Sequence, residues 1–194
     1  MKYCIFGGSF DPPHAGHCYL AQTACDSLHL DKIFWVPTPD PPHKSRPQTP
    51  FQHRVEMVKQ FVAHQLGHEV SDIEGRLSQP SYSLNTIRAL KTEKGPDHQW
   101  YFLIGADNWK IFPTWHRGPE VLKEVTLVVF PRDGYALETL PEGVLLLNQS
   151  EMHIQSREMR ETLLSSKNFD LAQVPIEIRA YILHNQLYGM GPVK

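Results

Sequence analysis

Short apolar runs alternate with amphipathic stretches along this chain, and that alternation constrains the fold more than any other feature of the sequence. Repeated strand–helix units of this kind predict a parallel sheet, because each parallel connection needs a crossover segment that covers one face of the sheet. We therefore expect an α/β fold with a doubly wound, mostly parallel sheet, helices on both faces and right-handed crossovers. The predicted strands are 3–6, 33–36, 69–73, 100–104, 126–130 and 144–147.

Helical patterns separate these strands, and two further helical patterns lie near the C-terminus. Pro175 stands close to the first turn of the last one, where proline is favoured. A chain of 194 residues has the size of one domain. We therefore predict a single domain over residues 1–194, with a helical C-terminal part from about residue 154. The predicted helices are 15–28, 51–64, 82–94, 120–124, 156–164 and 176–185.

Composition limits the classes of protein to which the chain can belong. Its formal net charge of −2 argues against a general binder of nucleic acid or of membrane surfaces. No apolar run approaches the roughly 20 residues that span a bilayer, and the N-terminus has no basic region followed by an apolar signal segment. Cys4, Cys18 and Cys25 show no metal or redox spacing, so we expect three reduced thiols. We predict a cytoplasmic protein without nucleic-acid or membrane partners, and the sequence is compatible with a homo-oligomer.

The loop from Gly7 to His17 follows the first predicted strand and reads Gly-Gly-Ser-Phe-Asp-Pro-Pro-His-Ala-Gly-His. It lacks the three glycines of a dinucleotide-binding fingerprint and the Gly-Lys-Ser/Thr of a Walker loop. Gly7 and Gly8 allow backbone amides to approach an anion closely. His14 and His17 share one face at the start of a helix, whose N-terminus attracts negative charge. The loop therefore predicts a cradle for a polyphosphate.

Two other interpretations of the histidines stay open. In the first, His14 only caps the helix and His17 is an ordinary core residue. In the second, their three-residue spacing holds a metal ion, but no Cys, Asp or Glu lies at ligand spacing nearby. We therefore assign no protein ligand to a metal.

Two further loops are expected near this one. The proline-rich loop 37–50 follows the second predicted strand, and the loop 111–119 follows the fourth. Ligands of open α/β sheets bind beyond the carboxyl ends of the strands. We therefore expect both loops at the same edge of the sheet as residues 7–17.

The first loop resembles the signature Gly-x-Phe-x-Pro-x-His-x-Gly-His of the nucleotidyltransferase superfamily. Within that superfamily, the chain is similar along nearly its whole length to the bacterial nicotinate-mononucleotide adenylyltransferases. The resemblance implies a Rossmann-like fold and the transfer of AMP from ATP to nicotinate mononucleotide, which yields nicotinate adenine dinucleotide and pyrophosphate in NAD biosynthesis. It also implies Mg²⁺ as a cofactor that arrives with ATP. The finer match rests on Pro41-Pro42-His43-Lys44, on 80–86, 102–108 and 112–116, and on the ending from 174 to 188.

On the ATP side, the resemblance implies backbone contacts from the first loop and phosphate contacts from basic side chains. The attacking phosphate monoester is already largely dianionic near neutral pH, so no general base is required, and catalysis is expected from positioning and charge stabilisation. Lys44 acts as a point charge on the triphosphate, or else it is a solvated loop lysine. The catalytic candidates are His14, His17, Lys44 and Arg160. The residues expected to bind ATP are Gly7, Gly8, Ser9, Phe10, His14, His17, Lys44, Ser156 and Arg160.

On the acceptor side, the resemblance implies that Tyr82, Thr86, Asp107 and Trp115 bind nicotinate mononucleotide. Tyr82 and Thr86 begin a predicted helix, where hydroxyls and free amides suit an anion. Trp115 offers a flat face for the pyridine ring, and Asp107 suits a ribose hydroxyl. The alternatives are plain helix capping, a core tryptophan and a helix N-terminal charge.

Residues 154–160 depart from the family pattern, which has Ser and Thr where this chain has Gln155 and Arg157. A glutamine is a poorer N-cap than serine, so the departure weakens the hydroxyl contacts that the resemblance implies there. Arg157 either adds a phosphate contact or belongs to a solvated helical face. Two other functions stay open: adenylyl transfer to another acceptor, such as nicotinamide mononucleotide, and a non-catalytic nucleotide-binding regulator.

Overall fold

A six-stranded parallel sheet forms the centre of the protein. The computed structural model describes residues 1–42, 47–132, 134–135, 140–147 and 174–189. The strands lie in the order β3-β2-β1-β4-β5-β6, and each neighbouring pair is parallel. The α/β fold with a doubly wound parallel sheet is therefore confirmed. The strands are β1 (Lys2–Gly8), β2 (Lys32–Pro37), β3 (His68–Val70), β4 (Gln99–Gly105), β5 (Thr126–Phe130) and β6 (Val144–Leu146).

The strand order changes direction beside β1, which has β2 on one side and β4 on the other. Strands β2 and β3 follow β1 in the chain and lie on one side of it. Strands β4, β5 and β6 come next and lie on the other side. In open sheets of this kind, ligands bind at such a switch point, beyond the carboxyl ends of the strands. The carboxyl ends of β1 and β4 are Gly8 and Gly105. Small residues therefore border the crevice on both sides.

The described α-helices agree with the sequence prediction to within a few residues, apart from one short helix. Residues 106–111 form an unpredicted helix, because six residues are too few to show an amphipathic repeat. The third strand ends at Val70, earlier than predicted, and Ile73–Arg76 forms a 3₁₀ turn. The predicted helix 156–164 lies outside the described residues. The described α-helices are α1 (Ala15–Leu28), α2 (Phe51–Val62), α3 (Ser83–Lys94), α4 (Ala106–Ile111), α5 (Gly118–Glu124) and α6 (Ile176–His184).

Helices cover both faces of the sheet, because alternate strand side chains point to opposite sides. On one face, Cys4 and Phe6 of β1 belong to a buried cluster that includes side chains of α1, α2 and α6. On the other face, Tyr3 and Ile5 pack in a cluster with α3 and α5. Across the described ranges, no helix combines the length and the apolar character that a bilayer crossing requires.

The three cysteines are free thiols, as predicted. Cys4 is buried in the sheet, and burial raises the pKa of its thiol far above the usual range. Burial also raises the pKa of Cys25 to about 11. Both thiols are therefore protonated at neutral pH, which makes them poor nucleophiles.

Candidate active site

Phe10 holds the loop after β1 in its shape. Its φ of 46° lies in the left-handed region that non-glycine residues seldom adopt. The side chain is 1% exposed, and its ring packs against Phe6 and Trp35 with centroid distances of 5.4 and 5.3 Å. A Cβ on Gly8 would lie 3.0 Å from this ring, so the glycine leaves the room that the ring needs. Burial of the aromatic ring therefore stabilises an otherwise unfavourable turn.

A buried guanidinium supports the same loop from behind. Arg54 on α2 is 1% exposed. Its Nη1 donates to the carbonyl oxygen of Ser9 at 2.5 Å, and its Nε donates to that of Thr49 at 3.0 Å. The Asp11 carboxylate accepts from the backbone N–H of Thr49 at 3.4 Å and from the Tyr188 hydroxyl at 2.7 Å. These contacts join the first loop to the end of the proline-rich loop and to the C-terminal segment.

His14 and His17 lie together at the N-terminus of α1, with 3.7 Å between their ring centroids. The backbone N–H of His14 donates to Nδ1 of His17 at 3.2 Å, so the ring proton of neutral His17 is on Nε2. The ring N–H of neutral His17 is therefore on the nitrogen that lies farther from the backbone. Burial lowers the pKa of His14 to about 3, and the positive charge of Arg132 contributes in the same direction. The His14 ring is consequently neutral near pH 7.

A cavity of about 300 Å³ lies at the carboxyl ends of β1 and β4. Its wall consists of the first loop, the segment after β2, the start of α3 and the segments after β4 and β5. The prediction that the three loops meet at one edge of the sheet is therefore confirmed for their described parts. The sequence-predicted site residues that line this cavity are Gly7, Gly8, Ser9, Phe10, His14, His17, Tyr82 and Trp115.

Aromatic side chains form one part of the cavity wall. The indole of Trp115 packs against Phe102 and Phe112, with ring centroids 6.3 and 5.3 Å apart. Tyr82 stacks on His116 at 4.4 Å. This packing holds the indole in place beside the cavity. A flat face of that kind suits an aromatic or cationic ring.

The side chain of Thr86 contacts Glu74 and is absent from the lining of the cavity. Thr86 is 2% exposed, and its hydroxyl donates to Oε1 of Glu74 at 2.7 Å. Glu74 itself lines the cavity. Burial raises the pKa of the Glu74 carboxyl group to about 7, although hydrogen bonds to it act in the opposite direction. The Thr86 hydroxyl therefore binds Glu74, and Glu74 stands between Thr86 and the cavity. A direct contact from Thr86 to a ligand, as predicted from the sequence, is not what this arrangement favours.

Asp107 does not line the cavity but contacts Arg132, which does. Its Oδ1 lies 3.5 Å from Nε of Arg132, and Arg132 lines the cavity. The guanidinium of Arg132 lies over the Phe130 ring, 5.4 Å from its centroid. Asp107 and the ring together hold Arg132 at the edge of the sheet.

Two charged residues of the cavity wall, Glu74 and Arg132, are not among the site residues predicted from the sequence. Arg132 follows Phe130, the last residue of β5, by two positions, so the rule that strand carboxyl ends carry ligand contacts would have found it. Glu74 has no such signal, because it lies in a 3₁₀ turn that the sequence pattern does not show. Its burial becomes visible only when β2, α2 and α3 are assembled around it.

Three predicted site residues, Lys44, Ser156 and Arg160, lie outside the described residues, as do Gln155 and Arg157. Their roles stay predictions. In the part of the chain that the structure describes, no group of three His, Cys, Asp or Glu side chains is arranged to hold a metal ion.

Known proteins match this chain in sequence over most of its length. The family model Cytidylyltransferase-like matches residues 5–162. A probable nicotinate-nucleotide adenylyltransferase from Geobacillus thermodenitrificans is 38% identical over 189 residues, which cover 97% of this chain and 86% of that protein. The nicotinate-nucleotide adenylyltransferase of Bacillus subtilis is 34% identical over 188 residues, which cover 96% of this chain and 98% of that protein.

Solved structures match the fold. Plasmodium falciparum nicotinic acid mononucleotide adenylyltransferase complexed with NaAD has a TM-score of 0.72, and its complex with APC has a TM-score of 0.77. Each match covers 98% of both chains at 22% sequence identity, so it bears on the fold alone. Because the family model matches most of the chain and the sequence relatives span nearly all of it, this protein belongs to the nicotinate-nucleotide adenylyltransferases of the cytidylyltransferase-like family.

Proposed function

We propose that this chain transfers AMP from ATP to nicotinate mononucleotide, releasing pyrophosphate and forming nicotinate adenine dinucleotide for NAD biosynthesis. The observation that carries the proposal is that one cavity holds both the histidine pair at the N-terminus of α1 and the tryptophan face beside α3. The first suits a polyphosphate, and the second suits a flat ring. The two substrates would therefore meet at the switch point of the sheet.

In this reaction a phosphate oxygen of nicotinate mononucleotide attacks the α-phosphorus of ATP. A new P–O bond forms, the bond from the α-phosphorus to the bridging oxygen breaks, and pyrophosphate leaves with that electron pair. The acceptor phosphate is largely dianionic at neutral pH, so no residue needs to remove a proton from it. The protein has to align the two phosphates and stabilise the charge that develops on their oxygens.

The histidine pair supplies this stabilisation in our proposal. His17 donates from Nε2, because its Nδ1 already accepts from the backbone. Neutral His14 has a buried Nδ1 with no hydrogen-bond partner among the described residues. The N-terminus of α1 adds positive potential. Backbone groups of Gly7, Gly8 and Ser9 contact the nucleotide, together with Phe10.

Residues outside the described ranges complete the ATP side of the proposal. Lys44 and Arg160 neutralise the triphosphate, and Ser156 donates a hydroxyl. Mg²⁺ enters with the ATP phosphates and belongs to the substrate, since magnesium usually keeps several of its own waters. A cytoplasmic location and assembly into a homo-oligomer stay predictions.

On the acceptor side, the ring of nicotinate mononucleotide stacks on Trp115. Among the described residues no side chain caps the N-terminus of α3, so in our proposal the N–H groups of Ser83 and Leu84 bind the ring carboxylate. Tyr82 borders this position. Thr86 contributes indirectly, because its hydroxyl holds the side chain of Glu74. Asp107 and Arg132 contribute polar contacts to the ribose and the phosphate.

The assay that tests the proposal compares pyrophosphate release from ATP and Mg²⁺ with the acid and the amide mononucleotide as acceptors. We expect kcat/KM at pH 7 to be at least about tenfold higher with the acid, because a charge-assisted hydrogen bond contributes about 1.5–3 kcal/mol. A preference for the amide would identify another acceptor. Binding of ATP without pyrophosphate release from either acceptor would indicate a regulator.

The indole of Trp115 is the proposed stacking surface for the acceptor ring. Trp115→Leu is expected to raise the KM for nicotinate mononucleotide by about tenfold or more, because stacking of a base on an aromatic ring is worth about 1–3 kcal/mol. The KM for ATP should stay within about twofold. Trp109→Leu is the matched control, since Trp109 stacks on Phe112 and does not line the cavity. Equal effects of the two substitutions on the acceptor KM would exclude stacking on Trp115.

A further inference from the structure

Glu74 is a buried acid in the wall of the cavity. The residue is 5% exposed, and its Oε1 accepts from the Thr86 hydroxyl at 2.7 Å. Its Oε2 is buried and has no hydrogen bond of good geometry among the described residues. The hydroxyl of Thr38 also faces the carboxyl group and favours its charged form. One oxygen of this group thus lacks the partners that a buried carboxylate needs.

Hydrogen bonds connect the backbone of Glu74 to the segment before α3. The side-chain Nε2 of Gln79 donates to the Glu74 carbonyl oxygen at 2.9 Å, and the Ser81 hydroxyl donates to Oε1 of Gln79 at 2.8 Å. These bonds connect the 3₁₀ turn of Glu74 to the segment that leads into α3. The Glu74 carboxyl group therefore stays beside the N-terminus of α3.

The charges around Glu74 leave its protonation state sensitive to a ligand. Burial is the largest effect and raises the pKa of the carboxyl group to about 7. Hydrogen bonds from the hydroxyls of Thr86 and Thr38 lower the pKa, as does the charge of Arg54, which faces the carboxyl group from α2. Near neutral pH, protonated and ionised forms are therefore both populated. His14, His17, His116 and Arg132 share the same cavity.

An anion at the N-terminus of α3 would act on Glu74 directly. Ser81, Tyr82 and Ser83 line the cavity there, next to Glu74. A ring carboxylate bound at these residues repels an ionised Glu74, because like charges in one partly desolvated site disfavour joint ionisation. A neutral ring amide exerts no such repulsion.

We propose that Glu74 is a specificity-determining residue that takes up a proton from solvent when an acceptor with a ring carboxylate binds at the N-terminus of α3, and that an acceptor with an uncharged ring amide binds without this uptake. The inference rests on the proposed function, since the acceptor's ring carboxylate is the anion concerned. Glu74 acts as a positioning and charge-matching residue, and it takes no part in the transfer of the adenylyl group.

Proton uptake by Glu74 makes the affinity for the acid mononucleotide depend on pH. Above about pH 7.5 the acceptor phosphate is fully dianionic. The acid and amide mononucleotides carry the same phosphate, so its ionisation does not affect the ratio of their dissociation constants. Glu74 is mostly ionised there and must be protonated before the acid binds. We expect the ratio of the acid Kd to the amide Kd to rise with pH between 7.5 and 9, by up to about tenfold per pH unit.

Isothermal titration calorimetry of the full chain tests this proposal by counting protons. Nicotinate mononucleotide is titrated at pH 8 in two buffers of different ionisation enthalpy. We expect uptake of close to one proton by the wild-type protein, and little uptake by Glu74→Gln, whose amide is permanently neutral. Glu93→Gln is the matched control because Glu93 is a surface residue of α3, and it should behave as the wild type does.

Three outcomes separate the hypotheses. Binding of the acid without proton uptake by the wild-type protein overturns the role of Glu74, and this result needs no variant. Uptake that persists in Glu74→Gln assigns the proton to another group and also overturns it. Failure of the wild-type protein to bind or to adenylylate nicotinate mononucleotide contradicts the proposed function itself.

Discussion

His17→Ala is expected to lower kcat by about two to three orders of magnitude, the loss seen when one donor to a developing oxyanion is removed. The reason is the orientation of the ring. Its Nδ1 accepts from the backbone N–H of His14, which leaves Nε2–H as a donor at the start of α1. Because this donor acts on charge that develops in the transition state, kcat should fall more than the affinity for ATP.

The kinetics are measured with saturating ATP and nicotinate mononucleotide, alongside the melting temperature of each variant. His184→Ala is the matched control, since His184 is an exposed residue at the end of α6. Loss of the contact at the start of α1 costs about 0.5–2 kcal/mol of stability, so the His17 variant should still fold. Near-normal turnover in a folded His17→Ala protein would rule out the assigned role.

Arg54→Met is expected to lower the free energy of unfolding by about 3–5 kcal/mol, the usual result when one partner of a buried charged network is removed. The substitution deletes both hydrogen bonds from the guanidinium and leaves the carbonyl oxygens of Ser9 and Thr49 without those donors. It also removes the positive charge beside Asp11. The first loop should lose its support at the same time, so the KM for ATP should rise.

Urea unfolding at pH 7 measures this change, with the slope checked for constancy between variants. Arg76→Met is the matched control, because the Arg76 side chain is 61% exposed and forms only surface ion pairs. Its effect should stay within about 0.5 kcal/mol. A loss below about 1 kcal/mol in Arg54→Met would mean that the buried network can relax without the guanidinium.

Much of the fold follows from local sequence patterns. All six strands were predicted within a few residues, because buried parallel strands appear as short apolar runs bounded by turn residues. The helices with a full amphipathic repeat were predicted as well. Helix α4 was not, since Ala106–Ile111 makes fewer than two turns. The third strand was predicted too long, because the apolar Ile73 belongs to the following turn.

The candidate site was predictable where it depends on one short segment. The spacing of His14 and His17 places both rings on one face of α1, and the glycines before them follow β1 directly. Glu74 and Arg132 do not belong to that segment, and only Arg132 could have been found from its place two residues after a predicted strand. They are far apart in the chain and reach one cavity because parallel pairing brings the carboxyl ends of different strands to the same edge.

The sequence by itself therefore determined the class of fold, the strand–loop–helix that we propose binds the phosphates and, through its resemblance to a known family, the expected reaction. Only the tertiary structure decided where individual polar groups point and how they ionise. The Thr86 hydroxyl donates to Glu74, and His14 is held neutral. These properties depend on burial and on charges from other elements. Such surroundings exist only once the sheet has brought distant parts of the chain together.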